Sequence, residues 1–171
     1  TGPRRFYYGL KMSDKVEKIA PFLRRIFDAG HIIHEILQDP FSDTKGMIVE
    51  ELVEDVEHRI HGHSDLVSET SIGEIKSAGN NSWQKLSVAP KKEHIMQASL
   101  YGEVLGKQNI NFLYFNKNTA ELTEVKHEVD YGKVDDLKAR AKEILRYVAD
   151  NELPPKSKSK TECRNCPCLL Y

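Results

Sequence analysis

The apolar period changes once, near residue 47, and that change restricts the fold more than any bulk property does. Through residues 13–38, Val16, Ile19, Leu23, Ile26 or Phe27, Gly30, Ile33 or His34 and Leu37 recur at spacings of three and four. Such spacing lines one face of a helix. Ser13 and Asp14 suit its start, Pro21 either divides it or begins a second helix, and Asp39-Pro40 stops it. The next stretch, MIVEELVEDVEHRIHGHSDLVSETSIGEIKSAG, is rich in Val and Ile and interrupted by Gly62, Gly73 and Gly79. β-Branched residues between glycines predict strands at about 48–60, 62–68 and 73–77.

Beyond them, GNNSWQKLSVAP reads as a loop by composition, and a helix follows over about residues 91–105, ended by Gly106. The runs NINFLYFNKN and AELTEVKHEV predict two more strands joined by a turn at residues 116–119. A last helix, about residues 133–150, carries Val134, Leu137, Ala141, Ile144 or Leu145 and Val148 on one stripe. Helix, three strands, helix, two strands, helix implies a central mixed sheet flanked by helices, of the α/β or α+β kind. The expected organisation is one domain over residues 1–155, then a basic linker and cysteine-containing tail over 156–171.

A chain of 171 residues, 39% hydrophobic and 30% charged, is long enough for one real core and argues against wholesale disorder. No apolar run approaches the roughly 20 residues that span a bilayer, so the expectation is a soluble protein of the cytoplasm, or of a host cytoplasm if viral. Net charge is −1, which gives no global basic field, although Arg4-Arg5, Arg24-Arg25, Lys91-Lys92 and the tail lysines form local clusters. Cys163, Cys166 and Cys168 fall within the last nine residues, a poor disulfide framework and a better metal or cluster ligand set.

Asp65 in GHSDLV, and Glu74 with Lys76 in GEIKSAG, put charge inside short apolar runs. Acid-x-Lys triplets also occur at Asp43, Glu124 and Asp136, but the first falls in a loop and the last on a helix. Glu124 lacks an acidic strand upstream. Residues two apart in a strand share a face, so Glu74 and Lys76 emerge together while Ile75 packs behind them. If the strands of Asp65 and Glu74 are neighbours, their carboxylates converge and repel unless a cation lies between. They would then hold Mg²⁺ or Mn²⁺, which polarises a phosphate oxygen and acidifies a water, while Lys76 orients that water or stabilises developing charge. The same residues also fit a solvent-facing strand with a surface ion pair worth ~0–1 kcal/mol.

His34 lies on the apolar stripe of the first long helix and points inward, as a core residue or a ligand. Gly30, one turn earlier, lets that helix approach something closely. Gln97 and Tyr101 stand four apart on one helical face with His94 on the same side. That arrangement serves as core-edge packing, or grips a phosphate backbone or a metal-bound water.

Taken in order, these motifs resemble the PD-(D/E)XK nuclease superfamily and its RecB-like branch. Gly30 and His34 match the helical G-x-x-x-H motif, Asp65 the first acid, Glu74-Ile75-Lys76 the second acid with its lysine, and Gln97 and Tyr101 the Q-x-x-x-Y helix. The resemblance implies a restriction-endonuclease-like core, metal ligation by His34, Asp65, Glu74 and the carbonyl of Ile75, and Lys76 as the residue that orients the attacking base. It implies Gln97 and Tyr101 as DNA-contacting or site-shaping groups. An upstream acid sometimes joins, for which Glu51 and Glu54 are the candidates. The chain is also similar to the iron–sulfur exonucleases of CRISPR adaptation: GPRRFYYG resembles their opening segment and the three cysteines their closing group. Here no cysteine precedes Pro3, and C-x-x-C-x-C is tighter than the usual spacing. Three thiolates leave open a [4Fe–4S] cluster with an outside ligand, Zn²⁺ with a further ligand, or no cofactor.

Two functions are compatible with these residues. One is a metal-dependent deoxyribonuclease, an exonuclease acting on DNA ends or single strands in recombination, repair or phage DNA processing. The other is a non-catalytic nucleic-acid or protein interaction module on the same fold, with the tail mediating a protein partner or oligomer.

Overall fold

The computed structural model describes residues 2–11 and 20–157. They gather into two compact units, one of residues 20–135 and one of residues 2–11 with 136–157. Residues 13–19 of the predicted opening helix and all three cysteines lie outside the described residues.

In the larger unit, Pro21 begins a helix rather than dividing one: α2 spans Pro21–Ser42, numbered after α1, Pro3–Lys11, of the smaller unit. Proline suits a first turn because its missing N–H has no partner there anyway. Asp39-Pro40 does not end α2 as expected. The helix runs through Pro40 to Ser42, and Thr44 Oγ1 donates to the Pro40 carbonyl at 3.0 Å. A proline in the last turn forfeits one backbone bond where few remain, so the helix finishes its turn.

Five strands follow: β1 Ile48–Asp55, β2 Ile60–Val67, β3 Ser71–Ala78, β4 Asn109–Asn116 and β5 Leu122–Glu128. The predicted first strand reached residue 60, but the chain turns after Asp55. The turn is set by Asp55, whose carboxylate accepts the His58 backbone N–H and contacts its ring nitrogen, and by Arg59 at φ +51. No glycine marks it, which is why composition does not reveal it. The stretch predicted as a loop, GNNSWQKL, forms α3, Asn80–Leu86. Leu86 is buried and Trp83 packs against the core, so burial overrides the turn-prone asparagines. Helix α4 spans Lys92–Val104 and α5 spans Tyr131–Ala149.

The sheet order is β1-β2-β3-β4-β5, antiparallel except for the β3–β4 pair, which is parallel and connected through α3 and α4. It is the expected mixed sheet flanked by helices. Its core comprises Val53, Val67, Ile72, Ala98, Tyr101, Ile110, Phe112 and Tyr114 with neighbours. In the smaller unit, Arg4 Nε donates to the Pro154 carbonyl at 2.8 Å and Lys11 Nζ to Asn151 Oδ1 at 3.0 Å, so α1 is tied to the segment after α5. No helix among the described residues is long and apolar enough to cross a membrane.

Candidate metal centre

The β2–β3 hairpin pairs for only two steps, Leu66↔Gly73 and Val67↔Ile72. Beyond them the next ladder partner is a side chain: the Ile75 N–H donates to Asp65 Oδ2 at 2.6 Å. A carboxylate thus occupies the gap where the strands part, satisfying a buried backbone donor and fixing its own orientation. Asp65 is buried, and its other oxygen faces His34 of α2, with Nδ1 to Oδ1 at 3.3 Å.

Glu74 lies on the adjacent strand and is 1% exposed. Its Oε1 pairs with Lys76 Nζ, as two-residue spacing on one strand face requires, whereas its Oε2 is buried without a hydrogen-bond partner. An orphaned carboxylate oxygen in a dry site is costly unless something positive completes it. Burial is the main reason the Glu74 carboxyl is pushed up to about 7; Lys76 opposes the shift and Asp65 adds to it. His34 is raised above its ordinary value, first by its hydrogen bond to Asp65, against the effect of burial. The Glu124–Lys126 triplet on β5 shows the contrast. It is an exposed pair at 3.9 Å, the bland form of the same pattern.

Ligand atoms of His34, Glu50 and Asp65 lie within 4.8 Å of one another. Neither Glu51 nor Glu54 belongs to this group; the β1 acid that lies near His34 and Asp65 is Glu50, which sequence reasoning missed. The β1–β2 register, Val49↔Leu66 and Glu51↔Ser64, leaves Glu50 across from Asp65, and Glu50 has φ +54. A left-handed residue breaks the two-residue alternation of a strand, so counting along EELVED misassigns the face. Gln38 was missed as well. Its Nε2 donates to Glu50 Oε1 at 2.6 Å and to the Asp65 carbonyl at 3.2 Å. Its signal was its place four residues after His34. Glu74 is outside this group of three; the set of one imidazole and two hard carboxylates fits a divalent cation.

Helix α4 supplies the neighbouring wall. Gln97 Nε2 lies 3.3 Å from the Tyr101 hydroxyl, and a Cβ at Gly62, three residues before Asp65, would collide with that hydroxyl. Gly62 therefore exists to admit Tyr101. The expectation for Gly30 fails: a Cβ there meets nothing within 4 Å, so this glycine permits no close approach. His94 bonds Tyr114 through Nδ1 and the phenol oxygen at 2.9 Å. Tyr114 pairs in register with Lys76, so the two share a sheet face. Burial, then Lys76 and Lys91, lower His94 to about 4, leaving its ring neutral near pH 7. A shallow groove of about 690 Å³ at Ser71, Asn109, Asn111 and Lys126 contains none of these groups.

An acid wedged between parting strands, a second acid and its lysine on the next strand, and a parallel crossover beyond them give this chain the fold expected from its resemblance to the PD-(D/E)XK nucleases. The chain superposes on the alkaline exonuclease LHK-Exo of Laribacter hongkongensis with a TM-score of 0.63 at 17% identity, over 82% of this chain and 75% of that one. The complex of LHK-Exo with dAMP gives 0.61 at 17% identity with the same coverage. SSO0001 gives 0.59 at 15% identity, over 98% of this chain and 79% of its own. No family profile and no curated sequence matches the chain. At these identities the likeness is one of fold.

Proposed function

We propose that this protein is a divalent-metal-dependent deoxyribonuclease that hydrolyses DNA phosphodiester bonds as an exonuclease. The observation that carries this reading is the meeting of His34, Asp65 and Glu50 at the split in the sheet, beside a buried Glu74 with one unpartnered oxygen. The similarity in fold to an alkaline exonuclease supports it.

His34, Asp65 and Glu74, with the Ile75 carbonyl and Glu50, would hold Mg²⁺ or Mn²⁺. When bound, the ion supplies Lewis-acid stabilisation of charge on the phosphate. Water forms the new P–O bond, the bridging P–O bond breaks, and the departing oxygen gains a proton. Lys76, held by Glu74 on the same strand face, places its ammonium where negative charge develops. Asp65 is fixed by the Ile75 N–H and keeps its other oxygen toward His34, so the acid presents one defined face. Gln97 and Tyr101 offer neutral hydrogen-bonding groups to the sugar–phosphate backbone.

End-labelled single- and double-stranded DNA, incubated with Mg²⁺, Mn²⁺ or EDTA, tests the reading. Wild type should release product in either metal and none in EDTA. Glu74→Ala and Lys76→Ala should lose cleavage by ~10²-fold or more while keeping their fold. DNA binding without product in Mn²⁺, or undiminished cleavage by Glu74→Ala, refutes it.

A further inference from the structure

We propose that Gln38 is a positioning residue that holds Glu50 beside His34 and Asp65, so that the edge strand β1 contributes a ligand to the metal centre. This rests on the metal-dependent reading above.

Gln38 stands four residues beyond His34, so a single face of α2 delivers both a ligand and the group that aims another. It is a polar side chain only 6% exposed. Its amide nitrogen is shared between Glu50 Oε1 at 2.6 Å and the Asp65 carbonyl at 3.2 Å, which ties the carboxylate of β1 to the backbone of β2. Glu50 needs such a tie. It is exposed, and its backbone sits at φ +54, a region that persists in a non-glycine residue only where the surroundings hold it. An exposed glutamate otherwise keeps its rotamer freedom, which must be surrendered when a cation binds. A neutral amide is suited to the task, because it orients the carboxylate by donation without cancelling the charge that attracts the ion. Partners that orient metal ligands in this way typically change metal affinity by about 10- to 100-fold.

Mn²⁺ titration calorimetry on the full chain tests the proposal, using wild type, Gln38→Met, Glu50→Ala and the double variant, with circular dichroism and thermal melts in EDTA as the fold control. Gln38→Met and Glu50→Ala should each weaken Mn²⁺ binding by about 10-fold. The double variant should bind no more weakly than Glu50→Ala alone, because Gln38 acts through Glu50. If Gln38→Met does not fold, Gln38→Glu keeps the shape, sets an acceptor against Glu50, and should show the same loss. Equal Mn²⁺ affinity in wild type and the Gln38 variant overturns the proposal and leaves the nuclease reading standing. So does a loss of the same size with Glu50 already removed, which marks a merely structural role. If wild type binds Mn²⁺ through Gln38 and Glu50 yet cleaves no DNA, the nuclease reading falls and the positioning role remains. Absence of Mn²⁺ binding by wild type overturns both.

Discussion

Replacing Glu74 by Gln should remove one component of the pH dependence of stability in the metal-free protein. In the unfolded chain this carboxyl titrates at its ordinary 4.5, whereas burial in the folded state pushes it up to about 7. Between those values the folded protein holds a proton that the unfolded chain has released. Stability therefore falls as pH rises, and the contribution of protonated Glu74, complete below 4.5, is lost by about 7. The interval is about 2.5 pH units, so at 1.36 kcal/mol per unit the loss is about 3 kcal/mol. His34, raised mainly by Asp65 and least by Glu74, acts in the same direction and keeps most of its contribution in the variant. Gln keeps the shape and carries no titrating proton. Urea denaturation in EDTA at pH 5, 6, 7 and 8 gives the difference between wild type and Glu74→Gln. The variant should gain on wild type steadily up to about pH 7 and then level off. Parallel curves across that range would refute the claim that burial raises the Glu74 carboxyl.

Two glycines should respond in opposite directions. Gly62→Ala forces a methyl into the Tyr101 ring and hydroxyl and should destabilise by about 1–3 kcal/mol. Gly30→Ala adds a methyl to open space within α2 and should stabilise by about 0.5–1 kcal/mol; thermal melts separate the two signs. Tyr114→Phe removes a buried phenol that bonds His94, and should cost about 1–3 kcal/mol. Urea midpoints check it, and an unchanged midpoint would show that the phenol does not fasten α4 to β4.

The order of elements was legible because each long segment carries its own period. His34, Asp65, Glu74 and Lys76 were legible as charges in apolar runs, and contacts join His34 to Asp65 and Glu74 to Lys76. Local chemistry failed where a contact distant in sequence prevailed. Asn80 and Asn81 look like turn residues, yet Trp83 and Leu86 hold them in a helix against the sheet. The turn after Asp55 depends on a side-chain bond to His58 and a left-handed arginine, neither of which composition displays. Gly30 looked like a contact glycine because it precedes a histidine by one turn, yet a Cβ there would meet nothing within 4 Å among the described residues.

The sequence by itself determined the longer elements and which acid travels with which lysine, because helix and strand periods are properties of neighbouring residues. Only the tertiary structure decided that Glu50 joins His34 and Asp65. That choice depends on a left-handed backbone at one residue and an amide from another helix. Both are conditions of packing, set by residues that the chain brings together only after it has folded.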